Sequence, residues 1–369
     1  HPHLHAPTVG EDPVASRPIV ISIQGDDSNL RKALKGAAGK VEGFGKSVAK
    51  IGVTAGAAFG ASAIAIGTKG VTAFAEYDKG LREVLTLLPG AGQEVFDELG
   101  GQVKDFSKEF GVMTDEAIPA LYSALSAGVP QDNVMAFLEV AQAAAVGGVT
   151  DLTTSVDALS SVTNSYGSEV ISATEASDLM FTAVRLGKTT FEEIGSSIFQ
   201  MAPIASAVGI PFENLTASIA ALSASGTPTS VAATQMKAAM AELAKGGSKA
   251  DVAFRDLAGV GLQQFLTEGG SFDEAIVMMK EGADEAGISV LDMFGSIEAG
   301  QAVLSLTADG GENFRGILDE MAASGGATQG AFETMDAGMG ASFNRIKANV
   351  QVLMIEIGEK LAPLVAKAT

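Results

Sequence analysis

Three junctions of one kind constrain what this chain can fold into. Gly111, Gly148 and Gly187 each close an apolar stretch, and within three residues each is followed by a threonine able to start the next helix: Thr114, Thr150 and Thr190. Glycine suits a helix C-terminus because it accepts left-handed backbone, and a hydroxyl at an N-cap accepts one of the backbone donors left free at a helix start. The junctions lie 37 and 39 residues apart, room for one helical hairpin in each interval, so the spacing predicts a stack of α-hairpins. Further start signals reinforce this. Thr114 stands before Asp115 and Glu116, Ser172 is three residues ahead of Glu175, and Thr190 is three ahead of Glu193, the last two as capping boxes. Pro211 opens another helix, with Leu215, Ile219 and Leu222 as its buried row.

The core available to such helices is made of small groups. Aromatic residues are 6% of the chain, and tryptophan and cysteine are absent, so Ala, Val, Leu, Ile, Met and a few Phe must fill the interior. Small side chains let helices approach closely but bury little area apiece, which favours packing against many neighbours, other copies of the chain included. The 369 residues suffice for one large domain or two to three ordinary ones.

Charge and residue types exclude several functions. The net charge of −20, from 44 acidic and 24 basic residues, argues against a surface that grips nucleic-acid phosphates and keeps an alanine-rich chain soluble. Without cysteine there is no disulfide, thiolate nucleophile or zinc-thiolate site. All three histidines, His1, His3 and His5, lie in the first five residues, which removes Ser-His-Asp arrangements and reads as a tag remnant or extended arm. Neither the His-Glu-x-x-His pattern nor a phosphate-binding Gly-x4-Gly-Lys loop is present. Gly259-Val-Gly261 is half a dinucleotide motif and reads as a turn. Asp97 and Glu98 are adjacent, so they point to different faces of a helix and form no acid/base pair. No catalytic residue, cofactor or metal site is assigned, and no signal peptide is expected.

Along the chain, residues 1–28 read as an extended arm with one strand, Ile19 to Ile23. Residues 29–75 read as a basic amphipathic helix, with Arg31, Lys32, Lys35, Lys40 and Lys46 beside Leu30, Leu34, Val41 and Phe44, leading into a helix with no charge between Lys50 and Lys69. In that helix Gly52, Gly56 and Gly60, followed by Ile64 and Gly67, make a glycine-zipper-like face that lets helices touch backbone to backbone. Residues 76–110 read as a helical connector and residues 111–245 as the hairpin block. Residues 246–340 form a Gly- and Met-rich helical region, in which Ser271 and Glu274 make a further capping box. Residues 341–369 read as an oligomerisation helix of coiled-coil type, with Phe343, Ile346, Val350, Leu353, Ile357, Leu361 and Leu364 three or four apart. The fold class is all-α but for the one short N-terminal strand.

The hairpin block also carries a resemblance. Gly111-Val-Met-Thr114, Ala120-Leu121, Ala127-Gly128, Gly147-Gly148-Val-Thr150-Asp151, Thr163-Asn164, Thr190-Phe-Glu192-Glu193-Ile-Gly195, Ala202-Pro203 and Ser225-Gly226 follow in the order of the core of phage tail tape-measure proteins of the TP901 type. Leu291 to Gly300 and Ile355 to Pro363 resemble later parts of that family. The pattern departs at Thr227 to Lys237, where the family shows a Gly-Ser-Glu-Ala-Gly-Thr-like run.

The resemblance implies a structural protein that sets tail length, scaffolds tube assembly and leaves ahead of the DNA. It implies a homo-oligomer of three or six copies, with tail-tube and tail-tip proteins and assembly chaperones as partners, no specific nucleic acid, and no enzymatic activity. The implied location is the tail-tube lumen or tail tip of the virion, with passage through host cytoplasm and membrane. It further implies a longer chain of which this is a part. A second reading, a membrane-inserting or pore-forming helix at residues 51–68, stays open beside it, because that run is about the length of a bilayer span. The tape measure of a phage-tail-like injection device also stays open.

Overall fold

In the computed structural model, residues 59–366 are described, and they fold into sixteen α-helices and two short 3-10 turns, with no strand among them. The expected strand at Ile19–Ile23 and the basic helix near residue 30 lie outside the described residues.

The chain opens with α1 (Phe59–Leu85) and α2 (Gln93–Phe110). It continues through α3 (Thr114–Ser126), α4 (Val134–Gly147), α5 (Leu152–Tyr166) and α6 (Ala173–Leu186). Next come α7 (Phe191–Val208), α8 (Phe212–Ala224) and α9 (Thr229–Ala244). Beyond these are α10 (Lys249–Ala258), α11 (Leu262–Thr267), α12 (Phe272–Glu285) and α13 (Ile297–Leu306). The last are α14 (Glu312–Ala322), α15 (Ala327–Asp336) and α16 (Met339–Ala366).

Between α3 and α9, helices two places apart pack on one another, which sorts them into two rows. One row holds α3, α5, α7, α9 and then α13; the other holds α4, α6 and α8. The chain then returns. Helix α14 lies on α8, α15 on α4 and α6, and α16 on α1 and α2, so the last helix meets the first.

Local chemistry explains many of the boundaries. Thr190 with Glu193, and Ser271 with Glu274, close reciprocal capping boxes at α7 and α12. Ser172 caps α6 by accepting the Glu175 N–H, which is half of the box expected there, without the return bond from the Glu175 side chain, and Pro211 precedes α8. Gly111 ends α2 in left-handed backbone at φ 73°. Two of the three expected starting threonines are corrected: Met113 is the N-cap of α3, with Thr114 one step inside and its own N–H held by Gln351 of α16, and Asp151 rather than Thr150 caps α5.

A single apolar core runs from Tyr77 to Ile355. Its bulk is aliphatic and alanine-rich, with Leu215, Ile219 and Leu222 fully enclosed. Phe191, Phe254, Phe272 and Phe314 are among the largest buried groups, and each contributes about 1.5–3 kcal/mol of burial. Alanine and glycine let the rows close: a Cβ at Gly195 would stand 2.9 Å from the Ala158 Cβ.

Candidate functional site

The closest approach of two helices joins the two ends of the described chain. At Gly70 of α1 a Cβ would lie 3.1 Å from the Met354 carbonyl oxygen and 3.3 Å from the Gly358 N. At Gly358 of α16 a Cβ would overlap the Gly70 carbonyl and stand 2.6 Å from the Phe74 Cβ. Backbone therefore touches backbone, which requires glycine at 358 and leaves little room for a side chain at 70. Gly70 faces residues 354–358 while Gly358 faces 70–74, so the two helices run in the same direction.

Polar contacts fix this pair to the hairpin stack. Lys104 of α2 reaches Glu359 at 3.0 Å and lies 5.1 Å over the Tyr77 ring, and Tyr77 donates its hydroxyl hydrogen to the Gly100 carbonyl. Burial, with Glu359 and Asp97 nearby, pushes the Tyr77 phenol well above its usual range. Gln351 accepts the Thr114 N–H and donates to Asp115, both at 2.8 Å, closing the start of α3. Arg345 holds Asp336 through both carboxylate oxygens at 2.8 Å and donates to the Glu109 carbonyl at the end of α2.

Two carboxylates serve helix ends far from their own. Asp178 on α6, only 4% exposed, accepts the N–H groups of Gly326 and Thr328 at the start of α15, while Ser177 shares a hydrogen bond with the Thr328 hydroxyl. Glu242 on α9 accepts from the Gly295 N–H, the Ser296 N–H and the Ser296 hydroxyl, closing the start of α13. Anions at helix N-termini are favoured by the free N–H groups and the helix dipole. Clefts of about 460 and 530 Å³ flank Asp178, yet both its oxygens are already taken by backbone donors. The chemistry available here is the fastening of helices.

The residues singled out from sequence divide between these surroundings. Gly52 and Gly56 lie outside the described residues. Gly60 and Ile64 belong to α1, and Gly67 is buried in it. On α16, Ile357 and Leu361 are buried at 6% and 2% exposure, Val350 and Leu353 are half-buried, and Phe343 and Ile346 stand 57% and 56% exposed. The Leu364 side chain lies outside the described residues. Gly70, Gly358, Asp178, Glu242 and Gln351 were not singled out. Gly70 had a readable signal, because it repeats the phase of Gly60 and Gly67. Asp178 and Glu242 had none, since their partners lie 148 and 53 residues away or more.

Caps, ion pairs and glycine contacts thus fasten these helices to one another. The chain belongs to the phage-related minor tail protein family, whose pattern matches residues 100–284, and its place is therefore structural, in a phage tail. Over 297 residues it is 29% identical to a probable tape measure protein of Clostridium phage phiCD119 (strain Clostridium difficile/United States/Govind/2006), covering 78% of this chain and 31% of that relative. The chain thus spans about a third of the length of the curated relative it matches. No solved structure matches it. Both matches support the tape-measure resemblance carried by Gly111 to Gly226.

Proposed function

We propose that this chain is the folded portion of a tape-measure protein that sets tail length, scaffolds the tail tube and leaves ahead of the DNA. The observation that carries it is the family match across α2 to α12 joined to the similarity with a probable tape measure protein about two and a half times as long. The measuring element is assigned to chain outside these residues. A helix rises 1.5 Å per residue and so counts length linearly, whereas the described helices average a few turns and fold back on one another. Several copies act together along the tube axis, with tube, tip and chaperone proteins as partners, and the acidic surface lets DNA pass without gripping it. In-frame deletions in the helical stretch of the full-length protein, measured by electron microscopy of tails, should shorten the tail by about 1.5 Å per residue removed. Tails of unchanged length would refute the measuring role.

The charge-free run at residues 51–68 favours a second role, entry into the host membrane. Among the described residues no single helix is long and apolar enough to cross one, and a bent pair, Gln131–Gly147 with Leu152–Tyr166, passes by length and composition alone. Leakage from liposomes that is absent, or indifferent to Gly56→Leu, would remove that role.

A further inference from the structure

The apolar row on α16 is covered along only part of its length. Met339, Phe343, Ile346, Val350, Ile357 and Leu361 follow at intervals of four, three, four, seven and four, which puts them on one side of a helix with 3.6 residues per turn. Ile357 is buried where α1 crosses at Gly70, and Leu361, one turn on, is buried too. Met339, Phe343 and Ile346, on the same side, are 78%, 57% and 56% exposed. The cause is register. With Gly70 level with residues 354–358 and the helices parallel, Phe59 comes level with about residue 345. Residues 339–344 of α16 therefore lie level with no described residue of α1.

We propose that residues 51–58 of this same chain seat on Met339, Phe343 and Ile346, extending the α1–α16 contact upstream. Two further observations favour this occupant. Gly52 and Gly56 are in phase with Gly60, Gly67 and Gly70, at intervals of four, four, seven and three, so the glycine face that touches α16 at Gly70 recurs in the segment that comes level with the exposed row. That segment carries no charge, matching an apolar row that is costly to leave in water. The glycine-rich run and the C-terminal row then form one parallel pair within a single chain.

The absence of cysteine makes the test direct. In the full chain, a Gly56→Cys/Phe343→Cys pair should oxidise to an intramolecular disulfide at least about tenfold faster than a Gly56→Cys/Ser342→Cys pair, whose second thiol stands on another side of α16. Equal rates, no disulfide, or a product of dimer size would overturn the proposal, the last by giving the seat to a second copy. Should the paired variants misfold, hydrogen exchange decides. Gly52→Glu/Gly56→Glu should speed exchange at amides 340–347 about tenfold while α5 to α9 keep their protection; unchanged exchange at 340–347 overturns it.

Discussion

The carboxylate of Asp178 accepts the backbone N–H of Thr328 at 2.8 Å across 150 residues of chain. Its other oxygen takes the Gly326 N–H at 2.7 Å. Gly326, the N-cap of α15, has φ 82° and no side chain to supply a cap, so a residue on α6 provides what the local sequence lacks. Asp178→Ala would leave the buried Thr328 N–H unsatisfied and free the more exposed Gly326 N–H to water, and should lower stability by about 1–3 kcal/mol. Asp178→Asn, keeping one acceptor, should lose about half of that. Chemical denaturation gives the total, and faster exchange at residues 326–336 with α8 unaffected would locate it. Equal stability of Asp178→Ala and the parent chain would rule the cap out.

Gly358 and Gly316 should respond oppositely to one methyl group. At Gly358 the added Cβ meets the Gly70 backbone, which no rotamer change relieves, so Gly358→Ala should cost about 1–3 kcal/mol or more. Gly316 lies inside α14 with nothing within 4 Å of a Cβ, and Gly316→Ala should stabilise by about 0.5–1 kcal/mol. Thermal unfolding of the two variants checks both signs.

Val149 has φ 55°, the only non-glycine residue with positive φ among those described, and is 79% exposed. A β-branched side chain is strained in left-handed backbone, and little burial is lost by removing it here. Val149→Gly should therefore raise stability by about 1 kcal/mol. A lower melting temperature would contradict the strain.

Two carboxylates near the start of α3 and α5 give opposite pH dependences. Burial, with Asp115 and Asp151 nearby, raises the Glu116 pKa, so its protonated form favours the fold and ionisation at neutral pH costs stability. Glu116→Gln should raise the melting temperature at pH 7, with the gain vanishing as pH falls below the ordinary glutamate range. Asp151 is held below its usual range chiefly by the Thr154 hydroxyl, then by the Thr154 N–H that it caps. It stabilises the fold above the ordinary aspartate range and loses this as pH falls through its lowered folded value. Asp151→Ala should lower the melting temperature at pH 7 and converge with the parent in acid. Parallel pH curves for either variant and the parent would contradict the assignment.

What sequence could disclose follows from how far each interaction reaches. Thr190 with Glu193 and Ser271 with Glu274 involve residues three apart, and these boxes close as written. The row Leu215, Ile219 and Leu222 is likewise legible because helical period alone decides which side is apolar. Thr114 looked like a cap on the same local grounds. Its N–H is instead received by a residue 237 positions away, which no local pattern encodes. The C-terminal row shows the intermediate case: its periodicity was readable, but that α1 covers Ile357 and leaves Phe343 open depends on the register of two helices nearly 300 residues apart. Glu242, holding the start of α13, was silent for the same reason as Asp178.

The parallel run of α1 and α16 decides how this fold bears tension. The chain reaches α1 at one end of the pair and leaves α16 at the other, so pulling along the chain slides one helix past its neighbour. Sliding loads the Gly70–Gly358 contact and the buried part of the apolar row at once, whereas peeling would break them singly. The pair is thus a lap joint in shear, and resistance to drawing the chain out is set by the whole length of helix overlap.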